Sequence, residues 1–197
     1  MATYPAIAAA SQAMLGLLES AAPASEFAGT DFKLVSATDL QTAPTATRIS
    51  LYLYSVTVNI TRRNLPPRID SVGRRFRPSV PLDLHYLLIA WAKDVAKQQR
   101  LLGWAVRTIE DTPILPAGLL NHYGPEPDVF GPSDTVELIW EPLSHQDVFD
   151  IWEVARANQQ PSASYVARII LIDSTVEIPD APAVQTTEFD YAGGPAP

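Results

Sequence analysis

Six of the fourteen basic residues of this 197-residue chain fall between Thr61 and Ser79, and all six are arginine: Arg62, Arg63, Arg68, Arg74, Arg75 and Arg77. One acid, Asp70, stands among them. A planar guanidinium grips a carboxylate or phosphate with two parallel hydrogen bonds, and arginine is enriched at protein interfaces. Prolines and a glycine punctuate the stretch, so residues 61–79 read as a long loop, and such loops are usually functional or disordered. Nucleic acid would want net positive charge with aromatics between the cations, whereas the chain carries −8 and the loop offers only Phe76. A membrane surface would want an amphipathic helix, which the prolines forbid. Docking to an acidic protein surface fits best, and the plain alternative is a solvated, mobile loop. The six arginines are therefore the expected partner-binding residues.

Catalytic chemistry finds less support. Asp83 and His85 stand two apart, on one side of an expected strand, and Ser50 or Ser55 would have to complete a triad without a nucleophile-elbow motif. His85 reads better as a strand histidine with a hydrogen-bond partner. His122 and His145 are isolated, in a loop and at a helix start, and the three histidines lack metal-ligand spacing. Neither Gly-x-Gly-x-x-Gly nor Gly-Lys-Ser/Thr occurs, so nothing points to a nucleotide. The chain has no cysteine, which excludes disulfides, thiolate zinc and a cysteine nucleophile. Trp91, Trp104, Trp140 and Trp152 fall among apolar neighbours and read as core. The expectation is a protein that is not an enzyme, with no catalytic residue, cofactor or metal.

The frame that positions the arginines is legible from periodicity. Ile7, Ala10, Met14, Leu17 and Leu18 predict a helix from Pro5 to Ser20, with Thr3 as its cap and Pro5 in its first turn. Asp31–Ala37 alternates as a strand, and 38–46 reads as a loop. Arg48–Ile60 is apolar on both sides and predicts a central or doubly covered strand. Leu82–Trp91 is a second, pairing with it as an antiparallel hairpin whose long projecting connection carries the arginines. Val95, Leu101, Leu102, Ala105, Val106 and Ile109 form the stripe of a helix over Asp94–Asp111, with Lys93, Lys97, Arg100 and Arg107 on its wet side. The acids Glu110 and Asp111 at its end hint at a partner such as arginine, against the commoner case of a solvated helix end. Residues 113–133 read as irregular apart from a turn at Leu119–Leu120.

Thr135–Glu141 alternates as a strand, with Val136, Leu138 and Trp140 on one side. The sharpest local signal follows: Ser144 and Asp147 form a capping box, with Leu143 and Val148 as its hydrophobic staple. It starts a helix over His145–Arg156 that turns Val148, Ile151, Trp152 and Ala155 inward. Tyr165–Val176 is a last strand. The sum is an α+β fold, one mixed or mainly antiparallel sheet of about five strands packed with about three helices. Residues 1–178 form one domain, and 179–197 read as a flexible acidic Pro/Gly tail.

With 47% hydrophobic and 18% charged residues the chain is globular in composition. Its charge is uneven. Residues 1–107 hold 12 basic and 7 acidic side chains, whereas 108–197 hold 2 and 15. If the fold keeps these halves on different surfaces, the molecule suits head-to-tail association; otherwise it has an ordinary acidic surface with one basic loop. The N-terminus lacks a basic n-region followed by an apolar core, and Leu84–Ala92 is too short to span a bilayer. A soluble protein made in the cytoplasm is expected.

Several segments carry a family resemblance: Arg48–Tyr54, Asn64–Arg68, the Leu-Asp-Leu-His-Tyr-Leu-Leu within Pro81–Ala92, the Leu-Leu-Gly-Trp-Ala within Gln99–Arg107, Thr112–Leu115, and Ser164–Ile170. Together they resemble the N-terminal domain of the cap, or tail-terminator, protein of extracellular contractile injection systems, the phage-tail-like particles of the antifeeding-prophage and virulence-cassette type. The resemblance implies a structural protein that forms a ring, expected to be hexameric, ends the inner tube and engages the last sheath layer. It implies self-association and tube and sheath partners, with no nucleic acid and no membrane insertion, inside a particle that stays in the cytoplasm or is released. It supplies no catalytic residues. The alternative reading is a soluble adaptor that docks an acidic partner through the arginine loop.

Overall fold

In the computed structural model, which describes residues 2–124, 126–153 and 158–179, the chain opens with helix α1 (Ala6–Ala21), the single turn α2 (Ala24–Phe27) and strand β1 (Asp31–Val35). Strand β2 (Arg48–Val58), the short pair β3 (Arg68–Ile69) and β4 (Arg75–Phe76), and the long β5 (Val80–Trp91) follow. Helix α3 (Val95–Asp111), β6 (Ile114–Pro116), α4 (Ala117–Tyr123), β7 (Thr135–Trp140), α5 (His145–Glu153) and β8 (Ser162–Ile172) complete it. The main sheet is six-stranded, in the order β1-β2-β5-β8-β7-β6. Only β1 and β2 run parallel; every other neighbouring pair is antiparallel. The α+β class and the mixed sheet agree with the sequence reading. The sixth strand, β6, escaped it because three residues ending in Pro116 carry no alternation, and proline is tolerated in a sheet only at such an edge.

Strand β5 shows why the two faces differ. Its even-numbered residues Leu82, Leu84, Tyr86, Leu88 and Ala90 join the main core with α1, α3 and α4. Its odd-numbered residues point the other way, where Leu87, Ile89 and Trp91 meet Trp152 of α5 in a smaller cluster. Fully burying each such large side chain contributes roughly 1.5–3 kcal/mol. Beside β5, β2 carries an irregularity in pairing between Leu53 and Ser55, and β8 one where Leu82 gives way to Leu84.

Helix α1 packs through small side chains, with Ala6, Ala9, Ala10 and Ala13 buried beside Met14 and Leu18. Gly16 is obligatory there: a Cβ at this position would lie 2.3 Å from the ring of Tyr123 on α4. The expected Thr3 side-chain cap is not made. The Ala6 N–H goes instead to the Thr3 carbonyl at 2.9 Å. Helix α3 is capped by Asp94, whose carboxylate accepts from the Lys97 N–H at 2.7 Å.

Other expectations need correction. Val95, the first residue of α3, is 62% exposed; the first turn meets β5 through Gln98 instead, which is buried and donates to the Ala90 carbonyl at 2.7 Å. Trp140, last in β7, is 47% exposed, and only one edge of it meets the Tyr165 ring. The turn at Leu119–Leu120 is a helix, α4, that buries Leu120 against α1. Strand β2 is covered only over its first half; Val56 and Thr57 face solvent beyond the reach of β1. Ala155 and residues 180–197 lie outside the described residues, whereas Pro179 is exposed coil.

Candidate functional site

The arginine stretch has structure of its own. Asn59, almost fully buried, accepts from the Thr61 hydroxyl at 2.6 Å and the Arg62 N–H at 3.1 Å, starting a 3-10 turn over Ile60–Arg62. Its amide donates to both oxygens of Asp83 at 2.9 and 3.2 Å, anchoring the turn to β5. Beyond it, β3 and β4 pair as a hairpin whose tip is tied by Asp70. That carboxylate accepts from the N–H groups of Val72 (3.0 Å) and Arg74 (2.9 Å) and from the Arg74 guanidinium (2.8 Å). Desolvation works to raise the Asp70 pKa, but these bonds outweigh it and hold the group below its ordinary value. Gly73 supplies the left-handed backbone (φ 86°) that closes the turn.

The hairpin is also fastened from below. Phe76 is buried beneath the Arg68 guanidinium, 4.2 Å from its ring centroid. Arg68 lies 3.7 Å from Asp173, and Asp173 accepts from the Ser79 hydroxyl. The segment after β8 then adds to the edge of β4: the Arg77 N–H donates to Val176 at 3.0 Å and the Ile178 N–H to Arg75 at 2.7 Å. The long, freely projecting loop read from sequence is thus a docked hairpin, held by residues about a hundred positions away.

This geometry sorts the six arginines. Arg68 faces inward onto Phe76 and Asp173, and Arg74 is engaged by Asp70. Arg62, Arg63, Arg75 and Arg77 stand exposed. Aliphatic side chains of the same stretch are exposed too, Ile60 at 84% and Val72 at 76%, as are Ile69, paired with Arg75 across the hairpin, and Val176, bonded to Arg77. Sequence reasoning missed that companion patch, since scattered Ile and Val in a loop carry no period. The surface joins guanidinium groups to exposed aliphatics, a combination typical of protein interfaces.

The open half of the other sheet face holds a polar cluster. His85 Nδ1 lies 2.9 Å from both carboxylate oxygens of Glu141, and its Nε2 lies 2.9 Å from the Thr57 hydroxyl. Tyr54 donates to the same carboxylate at 2.8 Å; burial, then this neighbouring acid, pushes the phenol well above its usual pKa. His85 therefore has the hydrogen-bond partner expected of a strand histidine. The imagined Asp83–His85–serine set does not form: Asp83 is bound to Asn59, and Ser50 accepts from the Trp91 indole at 3.1 Å. The cluster spans β2, β5 and the end of β7, a register that no local motif announces.

Helix α5 presents the opposite charge. Its capping box forms as read: the Ser144 hydroxyl donates to Asp147 at 2.7 Å, and the Asp147 N–H donates back to Ser144 at 3.1 Å. Trp152 is buried and Val148 and Ile151 are half-buried, whereas Asp147, Phe149, Asp150 and Glu153 face water. At the end of α3, Arg107 pairs with Asp111 and lowers its pKa, the arginine partner that the terminal acids hinted at. Among the described residues no group of His, Asp and Glu is placed to hold a metal ion, and no helix is long and apolar enough to cross a membrane.

The mixed six-stranded sheet backed by helices is shared in fold with two solved structures. The sheath/tube terminator of an extracellular contractile injection system (PVC), in its extended state, matches 95% of this chain with a TM-score of 0.60 at 14% identity. The anti-feeding prophage cap, a tube-terminating cap, matches 89% with a TM-score of 0.57 at 13% identity. The matched regions span 65% and 58% of those two chains. No curated protein matches the sequence. The chain belongs to the Pvc16 N-terminal domain family, whose profile matches residues 9–186.

Proposed function

We propose that this protein is a structural cap of a phage-tail-like contractile particle: a ring, six subunits around, that ends the inner tube and engages the last sheath layer. The observation that carries the reading is the match of nearly the whole chain to a sheath/tube terminator and to a tube-terminating cap, together with membership of the Pvc16 N-terminal domain family. In this reading the protein acts by fit and charge and catalyses nothing. Arg62, Arg63, Arg74, Arg75 and Arg77 face the partner, and Arg68 holds the hairpin that presents them. Residues 1–178 form the working domain and 179–197 a tail.

The test is to produce tube and sheath proteins with and without this chain, then measure tube lengths and end structure by electron microscopy. The cap reading expects uniform lengths and a ring of density at one end, both lost when the chain is omitted. Lengths that do not change, with no added density at either end, would refute it.

A further inference from the structure

We propose that the arginine hairpin of one copy docks onto the outer face of α5 in a second copy, a head-to-tail contact that repeats from subunit to subunit. The inference deepens the cap reading by naming the hairpin's partner, and rests on that reading for the closure of the repeat into a ring.

The chemistry of the hairpin states what it needs. Arg63, Arg75 and Arg77 are exposed together with Ile60 and Val72. The nearby acids are Asp70, engaged by Arg74, Asp173, engaged by Arg68 and Ser79, and Glu177, so Arg63, Arg75 and Arg77 outnumber the one acid left over. A purely acidic partner would leave the aliphatic groups in water. The matching surface must offer carboxylates and apolar area side by side.

The outer face of α5 offers both. An open groove of about 570 Å³ runs along it, lined among the described residues by Gln146, Phe149, Asp150, Trp152, Glu153 and Gln159, none of them basic. Phe149 is 60% exposed, an aromatic platform on which a guanidinium can stack. Trp152, only 2% exposed, forms the floor of the groove and packs inward on Trp91.

Position makes the partner a second copy rather than the same chain. The hairpin joins β5 at Val80, whereas Trp152 of α5 meets Trp91 at the other end of that strand, their ring centroids 6.5 Å apart. At about 3.3 Å per residue Val80 and Trp91 are roughly 35 Å apart along the strand, and α5 reaches back from the Trp91 end to the pocket that Asp147 and Asp150 share with Thr57 and His85. The hairpin is fastened instead to Asp173 and the 176–178 segment, and complementary patches held apart on one molecule make a heterologous contact, the kind that generates rings or filaments.

Charge reversal tests the contact on the full chain. One variant carries Arg75→Glu and Arg77→Glu, the other Asp150→Lys and Glu153→Lys, all at exposed positions, with circular dichroism to verify folding. Each alone is expected to weaken self-association about tenfold or more in sedimentation velocity. An equimolar mixture of the two should recover it, because each variant's hairpin then faces a helix of opposite charge. A mixture that stays as weak as its components would overturn the contact.

Cross-linking separates this failure from failure of the cap reading. The chain has no cysteine, so Ser71→Cys and Gln146→Cys in one chain, at exposed positions next to Val72 and one turn from Phe149, joined by a short bismaleimide, report this contact alone. A ladder of covalent oligomers on capped particles supports the proposal. Capped particles without a ladder overturn the contact and leave the cap standing. A ladder in the purified protein beside uncapped particles keeps the contact and overturns the cap.

Discussion

The two faces of the sheet are built from alternate residues of the same strands, yet they are finished differently. One is closed by α1, α3 and α4 over a continuous apolar core that contains Leu84, Tyr86 and Leu88. The other is closed over Leu87, Ile89 and Trp91 by Trp152 of α5 and by Leu40, and its open half carries Thr57, His85 and Glu141. The first face provides most of the apolar burial that holds the domain together. The second exchanges burial for hydrogen bonds that water competes with, and so leaves surface free for contacts.

Adjacent residues can break that comparison. Leu84→Ala removes a fully buried side chain from the closed face and is expected to cost about 2–5 kcal/mol. His85→Ala, one residue on and facing the other way, should cost about 1 kcal/mol. Chemical denaturation of the two variants checks this, and equal losses would mean that the open face matters to stability as much as the core does. Gly16→Ala sharpens the same contrast by adding one methyl against Tyr123, at an expected cost of about 1–3 kcal/mol. A melting temperature equal to that of the parent would show that α1 and α4 are free to part.

Smaller effects belong to the polar side. Ser144→Ala removes the capping box of α5 and should cost about 1 kcal/mol, seen as faster amide exchange in that helix and little change in α1. Uniform acceleration across the protein would show instead that α5 is part of the main cooperative unit. The smallest effect concerns the hairpin tip. Because the Asp70 pKa is lowered from 3.8, the stabilisation it gives is complete above that value and is lost as pH falls through the lower folded value. Protection of the Val72 and Arg74 amides, taken relative to their intrinsic exchange rate at each pH, should therefore fall on acidification below about pH 4, and Asp70→Asn should remove that loss.

Much of this molecule is legible in its sequence. The long strands, α1, α3 and the capping box of α5 follow from apolar periodicity and from side chains that bond within four residues of their own position. Such signals are local, so a window of a dozen residues contains them. The clustering of the arginines is likewise plain in the chain, as is membership of the Pvc16 N-terminal domain family.

What the sequence could not reveal is where partners distant in the chain meet. Arg68 and Arg75 look equivalent until Phe76, Asp173 and the 176–178 segment draw the first inward and leave the second exposed. His85 finds Glu141 only because β8 lies between β5 and β7 in a fixed register. Val72 and Phe149 become surface features through the packing beneath them rather than through their own chemistry. Residue types and local spacing set the elements, because helix and strand formation are short-range. Burial, pairing and the separation of basic hairpin from acidic helix were decided by tertiary structure, because each depends on contacts between residues far apart in the chain.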